Sequence, residues 1–137
     1  MKKSTILIFL FMGVTMLAQH PRERLEALKT AFITRELQLT AEEAKGFWPI
    51  YENYSSTLKE LRRTQVRSLL SEPEKSEAAG EAFIEQYLTT EREQVNATEK
   101  LLTDLKGILP AYKRARLIVA EKQFGKHMLE RIRDGRH

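Results

Sequence analysis

The 137-residue sequence predicts an all-α protein in which about four helices form an elongated, hairpin-like arrangement. Three observations lead to this prediction. Glycine and proline are scarce, with six and four residues, so the chain has few points at which helices must end. Outside the N-terminal segment, almost no run alternates β-branched and polar residues, as a half-buried strand would. Apolar residues instead recur at intervals of three and four, which places them on one face of a helix.

The first eighteen residues have the layout of a secretory signal peptide. Lys2 and Lys3 form a positive start, residues 6–17 form an apolar run, and Ala18 is a small residue at a cleavage site. We therefore expect a signal peptide over residues 1–18, one helical domain over residues 19–137, and a periplasmic location. The alternative is an uncleaved N-terminal anchor, although the run is shorter than the about 20 apolar residues that span a bilayer.

The composition limits the chemistry that the protein can perform and the partners that it can bind. The chain has no cysteine, so packing alone must stabilise the fold, and thiol catalysis, thiolate metal ligands and a lipid-modified cysteine are excluded. Removal of the signal with its two lysines would lower the formal net charge of +4 by two units. A mildly basic exported chain is not expected to bind nucleic acid.

The first two helices are predicted over about residues 22–37 and 41–70. The start of the second helix is marked by Thr40, whose hydroxyl can cap the free amides, and by Glu43, which can return the bond as in a capping box. Pro49 lies inside the second helix, and because the apolar spacing continues in phase beyond it, we expect a kink rather than a split. The apolar positions of this helix are Phe47, Tyr51, Tyr54, Leu58, Leu61 and Leu69.

A helix of this length has consequences for the overall shape. At 1.5 Å per residue it would be about 45 Å long, which exceeds the width of a compact small domain. The sequence therefore predicts an elongated hairpin with an apolar stripe that needs a partner.

The third and fourth helices are separated from the rest by turn-forming residues. Residues 71–73 form the expected break, and the third helix is predicted over about residues 74–105. Its middle, residues 89–98, is polar enough to be either exposed or turned towards a wet cavity. The fourth helix should begin after Pro110 and extend to about residue 133.

No enzyme signature is found. The sequence lacks a glycine-rich phosphate loop, the HExxH pattern and a nucleophile elbow, so we expect neither catalysis nor a cofactor. Two loose sets of potential metal ligands occur: His20 with Glu23 and Glu26, and His127 with Glu121 and Glu130. Because imidazole or thiolate clusters are lacking, surface ion pairs are favoured over a metal site, and metal buffering is the weaker alternative.

Two neighbouring clusters of the second helix are the candidate client- or partner-binding residues: the aromatic Phe47, Trp48 and Tyr51, and the basic Arg62, Arg63 and Arg67. Aromatic residues at helical spacing usually pack inside their own fold. The alternative is a partly exposed apolar surface that binds another molecule. Apolar area flanked by flexible positive side chains suits loose binding of unfolded, often acidic, chain segments, and it would equally suit an anionic membrane surface.

These segments resemble a known family. Leu39–Glu43 resembles the LTxxQ motif of the periplasmic Spy/CpxP-type proteins, which include chaperones and envelope-stress responders. The longer segment Ile33–Tyr51 resembles a branch labelled as sensors of extracytoplasmic-function (ECF) sigma factors. A second, degenerate copy of the motif, Ile108–Lys113, precedes the fourth helix. The similarity covers essentially the whole mature chain in the order and number of its helices.

The chain departs from the family pattern at three positions. Glu43 replaces the glutamine of the first copy, where a glutamate can cap equally well. In the second copy Leu109 keeps the leucine, whereas Pro110 and Lys113 replace the threonine and the glutamine. The metal-binding segment of the zinc-responsive relatives is missing, which argues against metal sensing.

The resemblance implies both a fold and a function. It implies a helical hairpin with additional helices, paired into a curved, cradle-like homodimer whose concave face binds non-native envelope proteins without ATP. The alternative is a regulatory accessory protein that binds one anti-sigma or sensor partner in ECF sigma-factor signalling.

Overall fold

A computed structural model describes residues 21–135, which form four α-helices and one short 3₁₀ turn and contain no strand. The helices are α1 (Pro21–Leu37), α2 (Ala41–Leu70), α3 (Glu77–Asp104) and α4 (Ala111–Asp134), and the 3₁₀ turn is Leu105–Gly107. The prediction of an all-α fold with four helices is confirmed. The predicted signal peptide lies outside the described residues. Within them, no helix combines the length and apolar character needed to cross a membrane.

The starts of α2 and α3 follow from side-chain caps. The backbone N–H of Glu43 donates to Thr40 Oγ1 at 3.1 Å, and the N–H of Thr40 donates to Glu43 Oε2 at 3.0 Å, which confirms the predicted capping box. Helix α2 continues through Pro49, so the chain is not split there. Helix α3 begins three residues later than predicted, because Ser76 Oγ accepts a hydrogen bond from the N–H of Ala79 at 3.2 Å and makes Ser76 the N-cap.

The four helices pack as two antiparallel pairs. Helix α2 lies along α3, where Gln94 Nε2 donates to Gln65 Oε1 at 3.1 Å, and α1 lies along α4, where the rings of Phe32 and Phe124 are 5.6 Å apart. The two pairs are joined so that α2 and α4 run in the same direction. The α2–α3 pair is the hairpin that the sequence predicts.

The apolar core lies at one end of the molecule, where the connection between α1 and α2 meets the 3₁₀ turn. We call this end the base. Every helix contributes to it, and burial of each large apolar side chain stabilises the fold by about 1.5–3 kcal/mol. The core residues of the base are Ile33, Leu37, Phe47, Tyr51, Leu101, Leu105, Leu109, Leu117 and Ala120.

The far end of the α2–α3 pair has a different character. Residues 59–70 of α2 and 77–89 of α3, which we call the distal hairpin, contain no buried residue. Val66 is 54% exposed, Ile84 51% and Leu70 82%. The hairpin therefore carries apolar side chains that the described part of the chain does not cover.

Candidate functional site

Lys113, a buried lysine near the start of α4, joins elements of the base by hydrogen bonds. Lys113 Nζ, on α4, donates to Glu43 Oε2 at 2.6 Å and to the backbone oxygen of Gln38 at 2.8 Å. Gln38 has a φ of 48°, a left-handed conformation that lets the chain turn between α1 and α2. The hydrogen bond from Lys113 is the main reason that the pKa of Glu43 lies below its usual value. The LTxxQ-like segments Leu39–Glu43 and Ile108–Lys113 thus meet in one polar contact that closes the α1–α2 connection.

A second polar contact joins three helices beside the core. The hydroxyl of Tyr51, on α2, donates to Glu121 Oε1 on α4, and Lys29 Nζ, on α1, lies 3.1 Å from Glu121 Oε2. Burial, together with the neighbouring carboxylate, raises the pKa of the Tyr51 hydroxyl, so it remains a donor at neutral pH. This contact ties α1 and α2 to the same carboxylate of α4.

Beyond this contact, an open groove of about 700 Å³ separates α1 from the outer half of α2. The two helices make little close backbone contact here, in contrast to the two antiparallel pairs. The groove has an apolar floor that begins at the base with Tyr54 and Leu58 and ends at the tip of the hairpin. The apolar residues that line it are Leu25, Tyr54, Leu58, Val66 and Leu70.

Positive charge surrounds this apolar floor. One acidic side chain, Glu26, lines the groove, and Lys59 Nζ lies 3.2 Å from Glu26 Oε1 across it. The basic residues that line the groove are Arg22, Lys29, Lys59, Arg62, Arg63 and Arg67. A solvent-filled channel with low-dielectric walls and six cations focuses a positive potential, which attracts acidic ligands.

A second open cavity, of about 580 Å³, lies on the other side of α2, between α2, α3 and α4. It shares Tyr54, Leu58 and Arg62 with the groove and is lined by the polar middle of α3, including Gln94 and Thr98. Burial raises the pKa of the Tyr54 hydroxyl, although a contact with Thr98 opposes the shift. One side of the polar stretch over residues 89–98 thus lines an open cavity, whereas Arg92, Glu93 and Asn96 are exposed outside it. Each of the two alternatives that the sequence left open therefore holds for part of the stretch.

The structure separates the two clusters of candidate binding residues. Phe47 and Tyr51 are buried in the core with rings 5.2 Å apart, so they follow the core interpretation and present no surface to a partner. Trp48 is half-buried, edge-on to Phe47, and lines a smaller pocket that adjoins the groove and shares Glu26, Lys29 and Lys59 with it. The three predicted arginines, Arg62, Arg63 and Arg67, are exposed and line the groove together.

Sequence reasoning missed the α1 side of the groove. Leu25 and Lys29 were not among the predicted binding residues, because their approach to α2 depends on how α1 lies against it. Lys59 belongs to the same basic run of α2 as Arg62, Arg63 and Arg67. The α2 side carried a signal that spacing could have revealed: every fourth residue from Tyr54 to Leu70 lines the groove. That row combines apolar residues with one arginine, so hydrophobicity alone did not single it out.

The residues of the LTxxQ-like segments belong to the core or to the start of a helix. Leu39 packs against the core, Leu109 is buried in it, and Pro110 precedes α4 without a side-chain cap. Within residues 21–135, no three histidine, aspartate or glutamate side chains converge as metal ligands, and Glu26 and Glu121 each pair with a lysine.

Comparisons of the chain with protein-family models, with curated proteins and with solved structures found no match in any of the three. The function is therefore inferred from the groove and from the sequence itself.

Proposed function

We propose that the protein is an ATP-independent, chaperone-like binding protein that holds segments of non-native proteins in the groove between α1 and α2. The observation that carries the proposal is the groove itself, an open channel with an apolar floor and six basic residues on its walls. Such a surface offers apolar contact and long-range attraction, and it requires no nucleotide, metal or covalent step.

The chemistry of the groove favours loose and reversible binding. Covering one leucine of the floor contributes about 1.5–3 kcal/mol, and one exposed ion pair contributes about 0.2–1 kcal/mol. Association itself costs about 4–15 kcal/mol. A few such contacts exceed this cost only slightly, which suits a protein that delays aggregation and then releases its client.

The proposal includes export and pairing. The signal-like first eighteen residues and the LTxxQ-like segments support action in the periplasm on envelope proteins. Exposed apolar residues outside the groove support a homodimer: Ile84, Leu88 and Val95 on α3, and Leu129 and Ile132 on α4. Sedimentation equilibrium of the purified mature chain should give twice the monomer mass, and fractionation should place the protein in the periplasm.

The main test measures aggregation of a chemically denatured model client by light scattering, with and without the mature protein and without nucleotide. We expect scattering to fall at near-stoichiometric amounts of the protein. The variant Arg62→Glu/Arg63→Glu/Arg67→Glu should need at least about fivefold more protein for the same effect, because it reverses half of the positive charge around the floor.

The matched control reverses three basic residues of the outer surface, Arg92→Glu/Lys126→Glu/Arg131→Glu. These residues are exposed, line neither the groove nor the second cavity, and change the net charge equally. The control should protect the client as well as the parent protein does. If the folded parent protein leaves scattering unchanged, general client binding is wrong. A single stoichiometric partner recovered from envelope extract would then support the regulatory alternative.

A further inference from the structure

We propose that the groove between α1 and α2 selects acidic amphipathic helical segments, and that Glu26 acts as a built-in competitor for their carboxylates. This inference rests on the proposed function, since it names the class of segment that the same groove takes. It also assigns a role in specificity to Glu26, which is the one acidic residue that lines the groove within the described residues 21–135.

The charges of the groove are not balanced within the structure. Lys29 pairs with Glu121, and Arg63 Nη1 pairs with Glu60 Oε1 at 2.8 Å. Arg62 and Arg67 make no ion pair within residues 21–135. These exposed arginines flank the apolar floor at Val66, so a segment that places an apolar side chain on Val66 brings its neighbouring side chains next to guanidinium groups. Acidic neighbours are then favoured and basic ones are repelled.

The length of the groove floor suits a helix. From Tyr54 to Leu70 the floor follows α2 over 17 residues, and the 16 steps between them correspond to about 24 Å. An amphipathic helix of about 16 residues covers this length with one narrow apolar face and carries its charged residues on both flanks, as in other complexes in which a helix lies in a groove. An extended strand of about seven residues would cover the same length but would direct alternate side chains away from the floor.

Glu26 shows where a ligand carboxylate would bind. Its carboxylate reaches across the groove to Lys59 Nζ at 3.2 Å, and the Glu26 side chain is 65% exposed while that of Lys59 is 41% exposed. A pair this exposed contributes little to stability, so an incoming carboxylate can replace it. While the groove is empty, the Glu26 carboxylate therefore stays paired with Lys59. A ligand without a carboxylate at this position is disfavoured, because it cannot replace that pair.

The test uses three fluorescein-labelled 16-residue peptides and the full mature protein, with binding followed by fluorescence anisotropy at low and high salt. The first peptide has a helical apolar stripe flanked by glutamates, the second replaces the glutamates with lysines, and the third has the composition of the first in scrambled order. We expect the first to bind at least about tenfold more tightly than the other two, with an affinity that falls as salt screens the charges.

Two variants locate the binding. Glu26→Gln should strengthen binding of the acidic peptide about two- to fivefold, because it removes the competitor from Lys59. Arg62→Glu/Arg67→Glu should weaken it at least about tenfold, whereas the surface control Arg92→Glu/Lys126→Glu should leave it unchanged. Circular dichroism and sedimentation confirm that each variant keeps the parent fold and mass.

Each outcome has a distinct meaning. Equal affinity for the glutamate and lysine peptides would overturn the selection for acidic segments, and equal affinity for the scrambled peptide would overturn the helical ligand. If Glu26→Gln binds no more tightly, Glu26 is not a competitor. If no peptide binds while client aggregation is still suppressed, this inference fails and the proposed function stands; if both tests fail, both are wrong.

Other occupants give different signals. Binding to vesicles with anionic phospholipid but not to the acidic peptide would identify a membrane surface as the ligand. A shift of the monomer–dimer equilibrium in Arg62→Glu/Arg67→Glu without any peptide would identify a second copy of the chain. Either result would replace the acidic helix as the occupant.

Discussion

The base and the distal hairpin are built from the same helices but use their apolar residues differently. In the base, Phe47 and Leu105 are fully buried, and Lys113 and Tyr51 satisfy their polar groups internally. In the distal hairpin, apolar residues such as Leu70 are largely exposed, and the arginines of α2 stay in solvent. The position along α2, rather than the residue type, thus decides whether an apolar side chain stabilises the fold or remains available to a ligand.

This difference separates stability from binding along a single helix. The exposed residues of α2 that we propose for binding lie beyond Leu58, the last buried residue of that helix, whereas Tyr54 and Leu58 form the inner end of the floor. Changes in the distal hairpin should therefore alter binding while leaving the base intact, and changes in the base should unfold both. The predictions below test this separation, beginning with the largest expected effect.

The largest effect should come from the core. Phe47→Ala should lower the free energy of unfolding by about 3–5 kcal/mol, because it leaves a cavity where all four helices meet. Leu70→Ala should change it by less than about 0.5 kcal/mol, because its side chain is 82% exposed. Urea unfolding followed by circular dichroism measures both. If Leu70→Ala costs as much as Phe47→Ala, the tip of the hairpin is covered in solution and the contrast between the two regions is lost.

The second-largest effect should be a change in how stability depends on pH under acidic conditions. Because the pKa of Glu43 is lowered in the folded protein, its contribution to stability is complete above its usual value of 4.5 and is lost as the pH falls through the folded pKa. Glu43→Gln should flatten the decline of stability below about pH 4.5, measured by urea unfolding at a series of pH values.

The neighbouring variant Glu42→Gln is the control for that measurement. Glu42 is exposed and has no ion-pair partner within residues 21–135, so its variant should keep the parent slope. A parent-like slope in Glu43→Gln would mean that the contact with Lys113 does not hold the base together in solution. Lys113→Met should separately destabilise the protein by about 1–3 kcal/mol, because it removes the hydrogen bonds of Lys113 Nζ to Glu43 and to the backbone oxygen of Gln38.

The smallest effect compares two helical glycines. A methyl group added at Gly80, in the distal hairpin, would meet no atom within 4 Å, so Gly80→Ala should gain about 0.5–1 kcal/mol in helix propensity. At Gly46, in the base, the added carbon would lie 3.1 Å from Ile108 Cδ1, and the displacement of that side chain should cancel the gain. Thermal unfolding of the two variants measures the difference, and an equal gain at Gly46 would show that the base packs more loosely than described.

Much of the fold could be predicted because its helix boundaries are encoded locally. The box of Thr40 and Glu43, and Pro110 ahead of α4, act within one or two turns of the chain and need no tertiary contact. The start of α3 was placed too early because Pro73 is the more conspicuous break, while the capping hydroxyl belongs to Ser76. In each case the residues that set the helix boundary lie close to it in the sequence.

The candidate site was harder to predict, because it depends on residues that are distant in the sequence. The arginines of the groove were identified from their clustering on one helix. Helical spacing places Phe47 and Tyr51 on one face of α2. It cannot show whether that face packs against a partner or against the core, because the spacing is the same in both cases. Their burial is decided by α1 and α4, which supply the other side of the core. The role of Glu26 follows only once α1 is placed beside α2, with Lys59 opposite.

The way the base is assembled also affects the order in which the chain folds. Gln65 and Gln94, which join α2 to α3, are 29 residues apart, whereas Glu36 and Arg116, which join α1 to α4, are 80 residues apart. Closing the longer loop costs more conformational entropy, so the contacts of the hairpin can form first and those of the base must form later. We therefore expect the region with the most buried side chains to be completed last, because α1 lacks its packing partner until α4 is in place.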